Sequence, residues 1–248
     1  MKAIILAAGY STRLYPDTLN KSKCLIEVGN RPIIDRIMSR IFQLPEIEDV
    51  FIVTNDKFFA LFNAWKAKSP FILDSSKVHI VNDGTSTNET RLGSLKDLCL
   101  ILNDYHIEDD VLVVAGDNLF EPGLEGLIQI SKEKKASTLG VFDFHDRNFV
   151  KKRFGVVILD HDNKVIGFQE KPDEPLSSIA ATALYVLAKS DLNHIIDLNK
   201  RPHEKEINIG EIFIELISKN SPVYSYFFKN WFDIGTHEDL KKARAIFL

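Results

Sequence analysis

The sequence has 248 residues, of which 45% are apolar and 27% charged, and its formal net charge is −4. This balance fits a globular protein and excludes the large basic surface that binding to nucleic acid would require. Two cysteines without metal-site spacing exclude a disulfide framework, and no apolar run approaches the length of a membrane span. We therefore expect a reduced, cytoplasmic protein without a membrane partner, and a homo-oligomer is left open.

Short apolar strands alternate with helical stretches along the first half of the chain. The predicted elements, in chain order, are the strand Lys2–Ala7, a loop over 8–23, the helix Ile33–Phe42 with Pro32 at its first position, the strand Val50–Thr54, the helix Phe58–Lys66, the strand Val78–Val81, the helix Leu92–Leu102, the strand Val111–Ala115 and the helix Leu124–Lys134. Continuous apolar strands between helices predict an α/β fold with a mostly parallel sheet covered on both faces.

In the second half of the chain the pattern changes, because predicted strands follow one another closely. The predicted strands are Ser137–Asp143, Val156–Leu159, Val165–Glu170, Ala181–Val186 and Val223–Phe228. A turn at 160–163 predicts a hairpin, and Thr236 with Asp239 predicts the capped start of a last helix at about His237. Without any linker composition, we expect a single domain, 1–248, made of the halves 1–135 and 136–248.

The loop after the first strand carries the strongest signal. It is built from small and hydroxylated residues, and it contains Arg13 and ends at Lys23. Small residues allow backbone N–H groups to approach phosphate oxygens, and ligands of open α/β sheets bind beyond the carboxyl ends of the strands. The loop matches neither GxGxxG nor the P-loop. On spacing alone, an irregular surface loop is an equally good interpretation.

Two aspartates follow apolar runs, far apart in the sequence. Asp117 comes after the strand Val111–Ala115 and Gly116, and Asp233 lies in the segment Trp-Phe-Asp-Ile-Gly-Thr. Mg²⁺ in proteins takes one or two carboxylates and completes its octahedron with water and phosphate oxygens. The pair therefore suits a magnesium site, although for either aspartate alone a turn or a helix cap is the commoner explanation.

Taken together, these motifs resemble those of the sugar-nucleotide pyrophosphorylases, whose signature is roughly L-A-x-G-x-G-T-R-L-x-P-x-T followed by a lysine. The stretch from Tyr15 to Leu25 is most similar to glucose-1-phosphate thymidylyltransferases. The resemblance implies the Rossmann-like, mostly parallel but mixed sheet of nucleotide-diphospho-sugar transferases. It also implies the Mg²⁺-dependent transfer of a nucleoside monophosphate from an NTP (dTTP, UTP or CTP) to a sugar 1-phosphate, with release of pyrophosphate.

Residue roles carry over from the matching motifs. Arg13 and Lys23 would be catalytic, and Asp117 and Asp233 would hold the metal. The nucleotide-binding positions would be Leu6, Ala8, Gly9, Ser11, Thr12 and Gly116. Ala8 and Ser11 stand where glycines are common in the family. Both are small, so the loop can still close on a phosphate.

The sugar phosphate would be bound by residues of the second half, which we name the acceptor set: Gly155, Glu170, Lys171 and Thr182. Ala183 replaces a glycine of the family, and its methyl group would narrow the sugar pocket. The family's arginine for the sugar phosphate has no clean match. Arg201 and Lys205 are the nearest cations in sequence.

The base would be read by Asn82 and Asn88, in the loop after the third strand. A loop with these two asparagines departs from the thymidylyltransferase pattern, and the spacing from Asn88 to Ser94-Leu95 resembles that of phosphocholine cytidylyltransferases. Together with Ala183, this leaves a cytidylyltransferase acting on an alcohol phosphate as an alternative. An alternative of another class is a non-catalytic sugar-nucleotide-binding regulatory protein. The DxD of Asp160 and Asp162 is interpreted as turn chemistry rather than as a metal site.

Overall fold

The structure is a computed structural model that describes residues 1–202 and 207–247. The strands are β1 (Lys2–Leu6), β2 (Glu27–Val28), β3 (Arg31–Pro32), β4 (Asp49–Thr54), β5 (Val78–Asn82), β6 (Val111–Ala115), β7 (Asn118–Glu121), β8 (Ser137–Asp143), β9 (Gly155–Leu159), β10 (Val165–Glu170), β11 (Ile179–Leu187), β12 (Val223–Phe227) and β13 (Asn230–Asp233). The α-helices are α1 (Ile33–Ile41), α2 (Asp56–Lys66), α3 (Ser94–Asp104), α4 (Glu125–Lys134), α5 (Arg147–Val150), α6 (Leu192–Lys200), α7 (Glu211–Ser218) and α8 (His237–Ile246).

The chain forms two compact units, each assembled from separate stretches of sequence. The first unit consists of Met1–Ile107, Val114–Phe120 and Phe232–Leu248. The second consists of Glu108–Val113 and Glu121–Trp231. The division of one domain into the halves 1–135 and 136–248 stays a prediction.

The first unit is built on parallel strands. β1 pairs with β4 from Lys2↔Asp49 to Leu6↔Val53, and β4 pairs with β5 from Val50↔Val78 to Thr54↔Asn82. The order in this part of the sheet is β6-β1-β4-β5, and α2 and α3 pack against it. These strands are nearly all apolar, as expected where helices cover a parallel sheet. Their carboxyl ends converge on one edge.

The second unit is a mixed sheet. β11 runs antiparallel to β8 and β9, β9 and β10 form the predicted hairpin, and β12 runs parallel to β8. α4 packs on β8 and β12, and α7 packs on β10. The hairpin turn is stabilised by the Asp160 carboxylate, which accepts from the backbone N–H groups of Asp162 and Lys164. The interpretation of the DxD as turn chemistry is consistent with these bonds.

The predicted α/β fold, mostly parallel in the first unit and mixed in the second, is confirmed. The capped start of α8 is also confirmed, since the Asp239 N–H donates to Thr236 Oγ1 at 3.2 Å. One detail was wrong: Pro32 is the N-cap of α1 rather than its first residue, because it completes the short strand β3. No helix among residues 1–202 and 207–247 is long and apolar enough to cross a membrane.

Candidate functional site

The loop after β1 is hydrogen-bonded to the rest of the first unit on its buried side and is exposed to solvent on the other side. The Ala7 N–H continues the strand pairing by donating to Val53 O at 2.8 Å. Ala8 is buried, and its carbonyl accepts from the Asn55 amide at 2.8 Å. Gly9 is exposed, and a Cβ placed on it would meet nothing within 4 Å. The loop therefore offers an open backbone surface at the carboxyl end of β1.

The loop then turns through two residues that the sequence singled out. Ser11 adopts the left-handed conformation with φ 51°, and Thr12 begins a 3₁₀ turn that ends at Leu14. The Ser11 carbonyl accepts from Thr18 Oγ1 at 2.8 Å, and Leu14 is fully buried. The turn leaves Arg13 exposed at its centre.

Lys23 and Asp117 meet in a nearly buried ion pair. Lys23 Nζ lies 2.5 Å from Asp117 Oδ2, with side-chain exposures of 11% and 26%. Burial opposes both charges, but their mutual attraction outweighs it. The pKa of Asp117 therefore lies below its ordinary value, and the pKa of Lys23 lies above its own. The other oxygen of Asp117 accepts from Asn118 Nδ2 at 2.8 Å.

Asp233 joins this pair through the backbone and through charge. The Ile234 N–H donates to Asp117 O at 3.1 Å, which fixes the two aspartate segments against each other. Burial, and then the neighbouring Asp117 carboxylate, raise the pKa of Asp233 to about 6. A Cβ placed on Gly235 would lie 3.7 Å both from Asp233 Oδ2 and from Arg13 Nη2. Arg13, Lys23, Asp117 and Asp233 therefore share one neighbourhood in the first unit.

The donor set fits a hard divalent cation. Two carboxylates lie together, and burial, followed by the neighbouring Asp117 carboxylate, raises the pKa of Asp233. In the part of the chain that the structure describes, no group of three or more His, Cys, Asp or Glu side chains is placed to hold a metal ion. Two carboxylates with room left for water and phosphate oxygens is the arrangement that Mg²⁺ favours.

Gly116 allows the Asp117 segment to approach β1. Its N–H donates to Leu6 O at 2.9 Å, which joins the carboxyl ends of β6 and β1. A Cβ at this position would lie 2.7 Å from Cys24 Sγ and 3.1 Å from Leu6 O. Burial also raises the pKa of the Cys24 thiol to about 12, so this cysteine is a packing residue. Leu6 and Gly116 thus help to position the Asp117 segment through a backbone hydrogen bond rather than through their side chains.

The two asparagines predicted to read the base have local partners. Asn82 Nδ2 donates to Asp56 Oδ1 at 2.8 Å, and Asn82 Oδ1 accepts from the Gly84 N–H at 2.9 Å. Asn88 Oδ1 accepts from Arg91 Nη1 at 3.1 Å. These bonds shape the loop after β5. Base reading by Asn82 and Asn88 stays a prediction.

The acceptor set lies in the second unit, and two of its members, Gly155 and Glu170, lie near the ring of Phe168. A Cβ on Gly155 would lie 2.4 Å from Phe168 Cζ, and one on Gly210 would lie 2.7 Å from the same atom and 2.9 Å from Glu170 Oε2. Glycine is required at both positions, because the ring and the carboxylate occupy the space of a side chain. Burial raises the pKa of Glu170, and Lys171, with Nζ 3.4 Å from Glu170 Oε1, opposes the rise.

Thr182 of the acceptor set and Arg201, considered as its missing cation, have hydrogen-bond partners within the second unit. Thr182 is fully buried, and its hydroxyl donates to Gly140 O at 2.9 Å. Ala183 lies in the bulge of β11 with φ 57°, which explains why a glycine is usual there. Arg201 binds both carboxylate oxygens of Glu215, at 2.9 and 2.6 Å, so it is already paired. Lys205 lies outside the described residues.

A family model for nucleotidyl transferases matches residues 2–248. The chain belongs to the nucleotidyl transferase family. A glucose-1-phosphate thymidylyltransferase from Neisseria meningitidis is 32% identical over 251 residues, which cover 99% of this chain and 82% of that protein. The bifunctional protein GlmU of Methanococcus aeolicus is 29% identical over 252 residues, which cover 99% of this chain and 54% of that protein. The chain thus spans about half the length of some curated relatives that it matches.

A solved structure supports the same family. It is described as a glucose-1-phosphate thymidylyltransferase from Bacillus anthracis in complex with sucrose, and it matches with a TM-score of 0.83. The identity is 26%, and the match covers 99% of this chain and 94% of that one. The predicted fold of nucleotidyl transferases that act on sugar phosphates is therefore confirmed, as is the resemblance on which it rested.

The sequence analysis did not identify two residues that hold the loop after β1 in place. Asn55 was not noticed, although it follows a buried strand just as Asp117 does. Tyr10 was also missed. It is buried, with its hydroxyl 3.4 Å from Thr85 Oγ1, and Thr85 bonds in turn to the Asp83 carboxylate. A search for polar residues at every strand end would have found Asn55. No sequence signal pointed to Tyr10.

Proposed function

We propose that this chain is a sugar-1-phosphate nucleotidyltransferase that converts an NTP and a sugar 1-phosphate into an NDP-sugar and pyrophosphate. The observation that carries the proposal is the nearly buried Lys23–Asp117 pair beside Asp233 and Arg13, at the carboxyl end of β1. Membership of the family supports it, as do relatives named for glucose 1-phosphate and for thymidylyl or adenylyl transfer.

The reaction is an in-line displacement. An anionic oxygen of the sugar phosphate forms a bond to the α-phosphorus of the NTP, while the bond from that phosphorus to the bridging oxygen of pyrophosphate breaks. The nucleophile is already anionic, so no base has to remove a proton. The demands on the protein are alignment of two anions and stabilisation of the charge that builds up on the leaving group.

The four clustered charged residues of the first unit, Arg13, Lys23, Asp117 and Asp233, each have a role in this scheme. Arg13 has a planar fork of donors on an exposed turn, and it would bind the β- and γ-phosphates and stabilise departing pyrophosphate. Lys23 would neutralise the α-phosphate region. Backbone N–H groups between Ala8 and Thr12 would bind the triphosphate, as in other loops of small residues at strand ends.

Asp117 and Asp233 would hold Mg²⁺. When bound, the ion supplies positive charge against the α-phosphate and the leaving group. It would also offset the repulsion between the two carboxylates, which adds to the effect of burial in raising the pKa of Asp233. In the second unit, Glu170 and Lys171 would bind the hydroxyl groups and the phosphate of the sugar 1-phosphate, with Gly155 contributing backbone contacts. A reduced cytoplasmic location is also proposed, and it is supported by the burial of both cysteine thiols.

The test is pyrophosphate release with Mg²⁺ across a grid of substrates. The donors are dTTP, UTP, CTP, ATP and GTP, and the acceptors are glucose 1-phosphate, other sugar 1-phosphates and phosphocholine. Release with one donor and one sugar 1-phosphate is the expected result and names both substrates. Release with CTP and phosphocholine alone would replace the proposal with the cytidylyltransferase. NTP or NDP-sugar binding without turnover in any combination would favour a regulatory protein.

A further inference from the structure

Asn55 makes two hydrogen bonds from a fully buried position at the carboxyl end of β4. Its Oδ1 accepts from the Phe58 N–H at 3.1 Å, so it is the N-cap of α2. Its Nδ2 donates to Ala8 O at 2.8 Å. The same side chain therefore caps α2 and holds the loop after β1 from the interior.

The hydrogen bond from Asn55 Nδ2 to Ala8 O determines the direction of the Ala8–Gly9 peptide group. In a trans peptide the C=O and the following N–H point in opposite directions. Because Asn55 draws the Ala8 carbonyl inward, the Gly9 N–H points outward, on the exposed side of the loop. This N–H has no acceptor within the described part of the chain. A glycine can rotate easily, and a rotated peptide would present a carbonyl oxygen outward instead.

We propose that Asn55 is a positioning residue that locks the Ala8–Gly9 peptide with its N–H directed at the triphosphate of the bound NTP. The inference rests on the proposed function. An outward N–H attracts a phosphate oxygen, whereas an outward carbonyl repels it. By fixing the orientation of this peptide, the Asn55 side chain makes its interaction with a phosphate attractive rather than repulsive. Asn55 itself touches no substrate.

The identity of the residue supports this role. Ser, Thr and Asp cap helices about as well as Asn, so capping alone does not require an amide. Only asparagine among them also supplies a donor that can reach the Ala8 carbonyl. An aspartate would cap α2 and yet place a carboxylate against that carbonyl oxygen.

The experiment compares NTP binding and turnover in wild type, Asn55→Ser and Asn55→Asp. Both variants keep a helix cap and lose the donor. A hydrogen bond to a charged group is worth enough that we expect the NTP Kd and KM to rise about tenfold or more, with the KM for the sugar phosphate unchanged. Asn63→Ser is the matched control, since Asn63 also lies on α2 and donates to a backbone carbonyl, that of Phe59 at 3.0 Å.

A second readout does not depend on catalysis. In ¹⁵N–¹H spectra the Gly9 amide should shift strongly when NTP is added to wild type or to Asn63→Ser, and only weakly in the Asn55 variants. Wild-type NTP affinity in a folded Asn55→Ser or Asn55→Asp would overturn the lock and leave the proposed function intact. If the wild-type protein binds no NTP, the proposed function is wrong, and the positioning role of Asn55 that rests on it is wrong as well. Should Asn55→Ser fail to fold, Asn55→Asp carries the test.

Discussion

Lys23 Nζ lies 2.5 Å from Asp117 Oδ2, and the two residues come from the ends of different strand–loop segments. Asp117 follows β6, whereas Lys23 closes the loop that follows β1. Asn118 Nδ2 donates to the second oxygen of the carboxylate. The fold itself therefore places a cation and a carboxylate together, and fixed charges of this kind are the basis of electrostatic stabilisation.

Replacing Lys23 by methionine should impair both activity and stability. The variant leaves the partly buried Asp117 carboxylate beside Asp233 without its cation. We expect kcat to fall about 10²–10³-fold and the free energy of unfolding to fall by about 1–3 kcal/mol, the cost of leaving a partly buried charged group unpaired. Steady-state kinetics and urea denaturation check this. Lys21→Met is the matched control, because Lys21 is an exposed lysine of the same loop, and it should match wild type. Normal turnover in Lys23→Met would remove Lys23 from the mechanism.

Replacing Arg13 by alanine should separate activity from stability. Arg13 is exposed, so its loss should change the free energy of unfolding by no more than about 0.5 kcal/mol. Its proposed contact with pyrophosphate predicts a fall in kcat of about 10²–10³-fold. Arg13→Lys should recover only part of this loss, since lysine lacks the planar fork. Arg147→Ala, in the second unit, serves as the control. If Arg13→Ala retains the wild-type kcat, the proposed role of Arg13 in stabilising departing pyrophosphate is wrong.

Adding one methyl group at Gly116 should destabilise the first unit. The new Cβ would lie 2.7 Å from Cys24 Sγ and 3.1 Å from Leu6 O. Overpacking of this kind costs about 1–3 kcal/mol, measurable by urea denaturation. The double variant Gly116→Ala/Cys24→Ala removes the closer clash and should recover part of the loss. Equal destabilisation in the single and double variants would show that Leu6, rather than Cys24, limits the space.

The Arg201–Glu215 pair predicts a pH-dependent stability. Arg201 holds the pKa of the nearly buried Glu215 carboxylate below its ordinary value of 4.5. A lowered pKa in the folded state stabilises the protein above pH 4.5, and this contribution disappears as the pH falls through the folded value. Glu215→Gln should therefore cost about 1 kcal/mol at pH 7 and progressively less towards pH 3.

The control for this experiment is Glu238→Gln, which removes an exposed pair with Lys242 on α8. Exposed pairs of this spacing contribute about 0.3–0.5 kcal/mol, so its pH dependence should be smaller. Chemical denaturation between pH 3 and pH 7 measures both. A constant difference between Glu215→Gln and wild type over this range would contradict the assignment.

Much of the fold could be predicted from the sequence, because the strands of the first unit are continuous apolar runs between amphipathic helices. α6 and α7 were not predicted. The core of α7, Ile-Phe-Ile-Glu-Leu-Ile, is apolar on nearly every side and has no clear period, so it cannot be told from a strand. β7 and β13 are only four residues each and pair with each other, which leaves no local signal.

The candidate site was predictable where the motifs lie beside strand ends, as for Arg13, Lys23, Asp117 and Asp233. The structure brings these four together. It could not be foreseen that the Asn82 amide bonds to Asp56 at the start of α2, or that Asn88 bonds to Arg91 in its own loop, since such partners depend on the exact course of the backbone. The pairing of Arg201 with Glu215 depends in the same way on how the end of α6 meets α7.

The bulge of β11 has a consequence for engineering. Ala183 holds φ 57°, where a glycine would sit without steric penalty, and the difference costs about 1 kcal/mol. Most routes to a heat-resistant protein add atoms, such as a larger core residue or a new crosslink. Here the simplest route is subtraction, because taking one methyl group away would let the backbone relax. Ala183→Gly should therefore raise the thermal tolerance of this protein by removing one methyl group from the bulge of β11.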